Sequence, residues 1–305
     1  MHDLIQQLII GLSIGATYAL IALGYTMVYG VLRLINFAHG EVYMVGAVTG
    51  YYLAGVMVRQ HQPPWISLAV VFGGAMVACA VLGFLIEFLA YRPLRNRPRL
   101  VVLITAIGVS LLLQNLAQLP VFFGPTPQSF PPLIEARPVI SFTVGASPVA
   151  ISNLDLLSLG LSVALMAVLT WVVLGTKTGL ALRAVSYRFD TASLMGINTN
   201  RIIAVTFMLG SALAAVAGVV DAIRYDVRPL MGVMPGLKAF VAAVLGGIGN
   251  IPGALIGGLL MGLVETMVKG YLSSAYADAV AFVVLILILL VRPSGLLGQS
   301  SDEKV

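Results

Sequence analysis

The sequence predicts an all-α polytopic membrane protein with about eight transmembrane helices, and three observations lead there. Hydrophobic residues make up 59% of the 305 and charged residues only 10%, with a mean hydropathy of +1.01, less polar surface than a soluble domain of this length needs. The apolar residues fall in blocks of about 20, the length of helix that crosses a bilayer. The basic residues behind the net charge of +5 sit in short connections between blocks rather than on one continuous face, which fits membrane orientation and argues against nucleic acid.

The blocks lie near 8–30, 40–58, 66–90, 100–123, 154–175, 201–222, 237–250, 252–269 and 277–291. They form one expected transmembrane domain, 1–305, with broken or re-entrant segments near 31–58 and 237–252. The opening MHDLIQQLII lacks the basic region of a secretory signal and reads as the start of a retained span. Between blocks four and five runs a connection, about 124–153, rich in proline and nearly free of basic residues, so the positive-inside rule turns it outward. The arginine-rich loop YRPLRNRPR at 91–99, the segment 176–200 and the tail after Arg292 belong inside. Parity leaves the first residues open. They lie outside if blocks one and two both cross, and inside, the reading adopted, if 31–58 is a re-entrant hairpin.

Small residues recur one helical turn apart at Gly11 and Gly15, Gly46 and Gly50, Gly210, Ala214 and Gly218, Gly253 and Gly257, and Gly258 and Gly262. Such spacing lets helix backbones approach closely in lipid, as generic packing or as a sliding surface. Cys79 lies alone in an apolar run and reads as a small packing residue.

Catalytic motifs are missing. The nearest likeness to a phosphate-binding loop, GTKTG at 175–179, has the wrong spacing, so the chain is not expected to hydrolyse ATP. There is no nucleophile elbow or paired cysteine, and three histidines far apart in sequence argue against a metal site.

Three stretches interrupt the apolar pattern. In LINFAHGE, Asn36, His39 and Glu41 stand in or beside apolar blocks, where polar groups are costly unless they face a bundle interior or cavity. They mark either a discontinuous helix beside a translocation path or a capped helix start, with Asn36 as N-cap and Glu41 near the positive end of the dipole. In AAVLGGIGNIPGALIGG at 242–258, Gly246, Gly247, Gly249, Asn250 and Pro252 predict a tight reversal, a gate or a plain turn. The polar island GLALRAVSYRFDTASLMGIN at 179–198 reads as a short amphipathic helix and turn lying along or projecting from the membrane, either an anchor or a docking element. The single acids Glu87, Asp221 and Glu265 each have a basic residue at helical reach, Arg92, Arg224 and Lys269, and are read as interfacial ion pairs.

The runs GATYALIALGYTMVYGVLRLINFAHGEVYMVGA at 15–47, ASLMGINTNRIIAVTF at 192–207, LGGIGNIPGALIGGLLMGLVE at 245–265 and VLILILLVRPSGLLG at 284–298 resemble the branched-chain amino-acid ABC transporter permeases of the LivH type over essentially the whole chain. The resemblance implies a bacterial inner-membrane subunit that forms half of a translocation pathway. It implies a homologous LivM-like second permease, two cytoplasmic ATPase subunits that bind the ATP, a periplasmic substrate-binding protein, no cofactor of its own, and membrane lipid but no nucleic acid as surroundings. The family's coupling loop maps onto Arg183, Ala184, Ala192, Gly196, Ile197 and Asn198, and the polar island becomes the element that docks on the ATPase. Relatives commonly carry an acidic or amide pair where this chain has Tyr187 and Arg188, which bears on which ATPase it accepts. The alternatives are a permease for urea, short amides or aromatic acids, and a proton-coupled secondary transporter.

Overall fold

The computed structural model describes residues 2–95, 97–144, 147–292 and 294–298. The tail beyond 298, read above as cytoplasmic, lies outside them. Eight helices among the described residues are long and apolar enough to cross a membrane. In chain order the helices are α1 (His2–Leu32), α2 (His39–Arg59), α3 (Pro64–Ile86), α4 (Arg99–Gln118), α5 (Asn153–Gly175), α6 (Lys177–Tyr187), α7 (Phe189–Leu194), α8 (Thr199–Arg224), α9 (Val233–Gly246), α10 (Ile251–Tyr271) and α11 (Ala277–Val291). The proline-rich connection holds an element the sequence reading lacked, an antiparallel hairpin of β1 (Pro138–Val144) and β2 (Ser147–Ser152). Alternation in PVISFTV and SPVAIS was available there as a strand pattern.

The described chain divides into two compact units. The first comprises Met1–Thr26, Ala136–Met166 and Lys238–Val305, the second Met27–Glu135 and Ala167–Leu237.

In the first unit, small residues set the packing of α1 on α10. A side-chain carbon on Gly11 or Gly15 would run into the backbone of Gly258, Leu259, Gly262 or Leu263, and one on Gly258 into Ala19. The recurring spacing is thus a close helix contact, which larger residues would forbid. The Gln6 side-chain amide pairs with Ala150 of β2 in both directions, at 3.2 and 3.1 Å. The start of α1 and the proline-rich connection therefore share a face, where the sequence reading had put them on opposite sides. Block two is a full helix of 21 residues, so no hairpin reverses the chain there.

In the second unit, α8 is buried along nearly its whole length and packs on α2 and α3. Gly46 meets Ala215, Gly50 meets Val219, Gly218 meets the Tyr43 backbone and Gly83 meets Ser211. Cys79 is fully buried and its thiol points to the Val42 carbonyl at 3.5 Å. α3 ends in a π-helical turn, Glu87–Tyr91, followed by a 3-10 turn, Arg92–Leu94.

Both expected interruptions of the helical pattern are present. Between Leu32 and His39 the chain leaves the helix at Arg33, whose φ of 51° closes α1 in the left-handed manner of a helix C-terminus. Near 237–252, α9 has only 14 residues, about 21 Å of helix against the roughly 30 Å of a hydrocarbon core.

Candidate functional site

The first polar interruption folds into the interior of the second unit. Asn36, His39 and Glu41 are 2%, 1% and 2% exposed. The Asn36 side-chain oxygen accepts from the Ala38 amide at 3.1 Å and from the Tyr91 hydroxyl at 3.0 Å. The residue in the N-cap position of α2 is Ala38, which has no side chain to cap with. The reading of Asn36 as N-cap is therefore corrected: it holds the turn two residues earlier and ties it to the π-helical turn.

One Glu41 carboxylate oxygen accepts from the Gln114 amide at 2.8 Å and from the Ser110 hydroxyl at 3.3 Å. The other has no hydrogen-bond partner among the described residues. Gly40 and Gly232 approach backbone to backbone beside it, and a carbon on Gly232 would also meet that free oxygen. Glycine at both positions is what brings a buried acid against the turn that precedes α9.

The second interruption, in the first unit, is a turn between α9 and α10. Gly246 ends α9, Gly247 and Gly249 have φ of 103° and 95°, and Pro252 is the second residue of α10. Proline costs nothing there because the first helical amides have no partner within the helix. Asn250 caps α10 by accepting from the Gly253 amide at 3.0 Å, and its own amide donates to the Leu297 carbonyl at 2.8 Å. The Leu296 and Leu297 amides donate to the carbonyls of Leu245 and Gly246 at 2.8 and 3.0 Å. The reversal is thus held by the segment 294–298, a long-range partner that local sequence does not announce.

The polar island forms two short helices rather than one. Thr176 caps α6 by accepting from the Gly179 amide at 3.0 Å. Arg183 is exposed on α6 and Ala184 accepts the Arg188 amide at 3.2 Å. Ala192 is buried in α7, and its carbonyl takes the Ile197 amide at 3.1 Å around Gly196, whose φ is 82°. Asn198 then caps α8 at the Arg201 amide, 3.1 Å away. Leu182, Val185 and Ala192 anchor the segment. Tyr187, Leu194 and Met195 stand 82%, 87% and 79% exposed, apolar surface that none of the described residues covers.

The three acids read as simple interfacial pairs are more deeply tied. Glu87 is fully buried and meets both Arg92, at 3.1 Å, and Arg95. Burial draws the Arg95 guanidinium below its ordinary value, against the opposing charge of Glu87. Asp221 accepts from the Tyr43 hydroxyl. Glu265, 2% exposed, takes Lys269 at 2.6 Å, Lys238 at 2.9 Å and the Tyr18 hydroxyl at 2.6 Å, while Lys238 also reaches Asp278 at 2.6 Å. Sequence reasoning passed over Lys238 and Gln114. A lone lysine in AFVAAV-type surroundings and a glutamine one turn after a serine were the visible signals. No group of three histidine, cysteine or acidic residues with metal-binding geometry occurs among the described residues.

Eight long apolar helices, close glycine contacts between them and polar clusters in their interior define a multi-pass helical membrane protein. Residues 7–289 match the family described as branched-chain amino acid transport system / permease component, and the chain belongs to that family. It is 45% identical over 303 residues to the high-affinity branched-chain amino acid transport system permease protein LivH of Escherichia coli (strain K12), covering 99% of this chain and 97% of that one. It is 43% identical over 311 residues to the corresponding permease protein BraD of Pseudomonas aeruginosa, covering 100% and 99%. Among solved structures, PsaBC from Streptococcus pneumoniae in complex with Fab matches with a TM-score of 0.44 at 13% identity, over 96% of this chain and 93% of that one.

Proposed function

We propose that this chain is the transmembrane permease subunit of an ATP-driven importer for leucine, isoleucine, valine or related amino acids in a bacterial inner membrane. It forms half of the translocation pathway beside a homologous LivM-like permease. Two cytoplasmic ATPase subunits drive it, and a periplasmic binding protein supplies substrate. The observation that carries the reading is the family match over residues 7–289 together with the segment α6–α7, which is anchored on one side and exposes Tyr187, Leu194 and Met195 on the other.

In this reading the segment 176–200 is the coupling element. Exposed apolar side chains enter a groove of the ATPase, and Arg183 and Arg188 supply the charge that selects which one. ATP closes the motor pair, the docked helices move with it, and the bundle changes its accessible side. The driving energy is the difference in ATP affinity between the two motor states. Asn36, His39 and Glu41 belong to the pathway, and the turn Gly246–Gly247–Gly249–Asn250–Pro252 acts as a gate element steadied by the segment after it. The chain itself hydrolyses nothing, and selectivity rests largely on the binding protein.

Gly196→Val tests the coupling role. A β-branched residue at φ of 82° is strained by about 1–2 kcal/mol, although nothing crowds the position. The expected outcome in reconstituted vesicles is ATP hydrolysis that continues while amino-acid uptake is lost. Unchanged uptake per ATP hydrolysed contradicts the assignment.

A further inference from the structure

The loop that follows α8 carries charges for which neither the packing nor the coupling reading has a use. Val227 forms an isolated antiparallel bridge with Gln128 through both backbone bonds, at 3.0 and 2.9 Å. Val227 is fully buried. Asp226 and Arg228 flank it, both are exposed, and both face the same two cavities.

They do not neutralise each other. Among the described residues no ion pair joins them, and the Arg228 guanidinium has no hydrogen-bond or ion-pair partner. Asp226 accepts from the Ser129 hydroxyl at 3.0 Å through one oxygen only. Both line a cavity of about 410 Å³ whose remaining wall includes Asp221, Leu230, Met231 and Met234. A second cavity of about 390 Å³ shares Asp226 and Arg228. Separate opposite charges beside a methionine and leucine wall match one ligand chemistry: an α-ammonium, an α-carboxylate and an apolar side chain on the same small molecule.

We propose that this loop is a low-affinity binding site for the zwitterion of an aliphatic amino acid. Arg228 takes the carboxylate, Asp226 takes the ammonium, and Leu230, Met231 and Met234 contact the side chain. The site rests on the transport reading above and gives it a place where substrate first meets this chain. The Gln128 bridge puts the loop on the face of the proline-rich connection, where a binding protein would release its cargo. Exposed ion contacts are individually weak, so the site holds substrate briefly and passes it on.

The test is saturation-transfer NMR on the full chain in nanodiscs, with the subunits that co-purify and without binding protein, using leucine as probe. Leucinamide lacks the carboxylate and 4-methylpentanoate lacks the ammonium. The expected result is transfer to the leucine methyl groups that exceeds either analogue, drops about fivefold in Arg228→Gln and Asp226→Asn, and survives in Arg228→Lys. Because both side chains are exposed, these variants leave the fold intact, which their elution profile checks. Equal transfer to all three probes, or no loss in Arg228→Gln, overturns the site. Leucine uptake by the assembled importer is measured alongside. Uptake with no binding here overturns this site alone, whereas absence of any branched-chain uptake, with a non-zwitterionic solute bound at Arg228, overturns the transport reading as well.

Discussion

Glu41 in the second unit and Glu265 in the first are equally shielded from solvent, each 2% exposed, yet they are partnered in different ways. Glu265 is held on both oxygens: Lys238 and Lys269 on one, the Tyr18 hydroxyl on the other, with Asp278 on Lys238 balancing the second lysine's charge. That network ties α1, α9, α10 and α11 together and leaves no capacity for a ligand. Glu41 meets only neutral donors, Gln114 and Ser110, and one of its oxygens is unused. A buried acid with matched cations is a fastening. One with spare capacity beside two glycines in close approach is where the proposed pathway role expects something else to enter or move.

Removing a cation from the closed network has the largest expected effect. Lys238→Met leaves Glu265 buried with Lys269 alone, and breaking a buried pair costs about 3–5 kcal/mol. The retained Lys269 puts the expected loss near the low end, read as a lower unfolding midpoint in mixed micelles. The double variant Lys238→Met with Glu265→Leu recovers most of it, because the two charges it leaves without partners, Lys269 and Asp278, are 42% and 48% exposed. If Lys238→Met is as stable as the wild type, Glu265 is no fastening and the contrast collapses.

Glu41→Gln is expected to separate the two acids the other way. Glutamine keeps an acceptor for Gln114 and Ser110, so stability changes by less than about 1 kcal/mol, while uptake by the assembled importer falls. Loss of stability with normal uptake would make Glu41 another structural acid.

The smallest effect is expected at the α9–α10 turn. Pro252→Ala leaves the Asn250 cap in place and changes stability by no more than about 1 kcal/mol, so expression is normal. Impaired uptake sharpens the gate reading, and normal uptake at normal expression reduces the turn to a structural role.

Most of the architecture was legible in the sequence because hydrocarbon imposes so strict a rule on composition. Apolar blocks of span length became helices within a few residues, and the glycine pairs became helix contacts. The polar interruptions were visible for the same reason: Asn36, His39, Glu41 and Asn250 stand out against their neighbours. Their partners did not show, because Tyr91, Gln114 and Leu297 lie 55, 73 and 47 residues away in sequence and nothing local encodes the pairing. The pairing of the start of α1 with β2 was missed for a related reason. Charge counting had few residues to work with, and the decisive contact, Gln6 with Ala150, spans 144 positions. At the polar island, Arg188 breaks the helix into α6 and α7 by taking extended dihedrals, φ −148° and ψ 108°, which its residue type does not demand.

The most direct test of the account is to purify this chain from its native membrane in mild detergent and identify what accompanies it by mass spectrometry, with uptake measured on the same membranes. The account predicts a second permease and two ATPase subunits, with branched-chain amino-acid uptake that requires ATP. Reproducible recovery of the chain alone, with uptake driven by a proton gradient and indifferent to ATP, would contradict it.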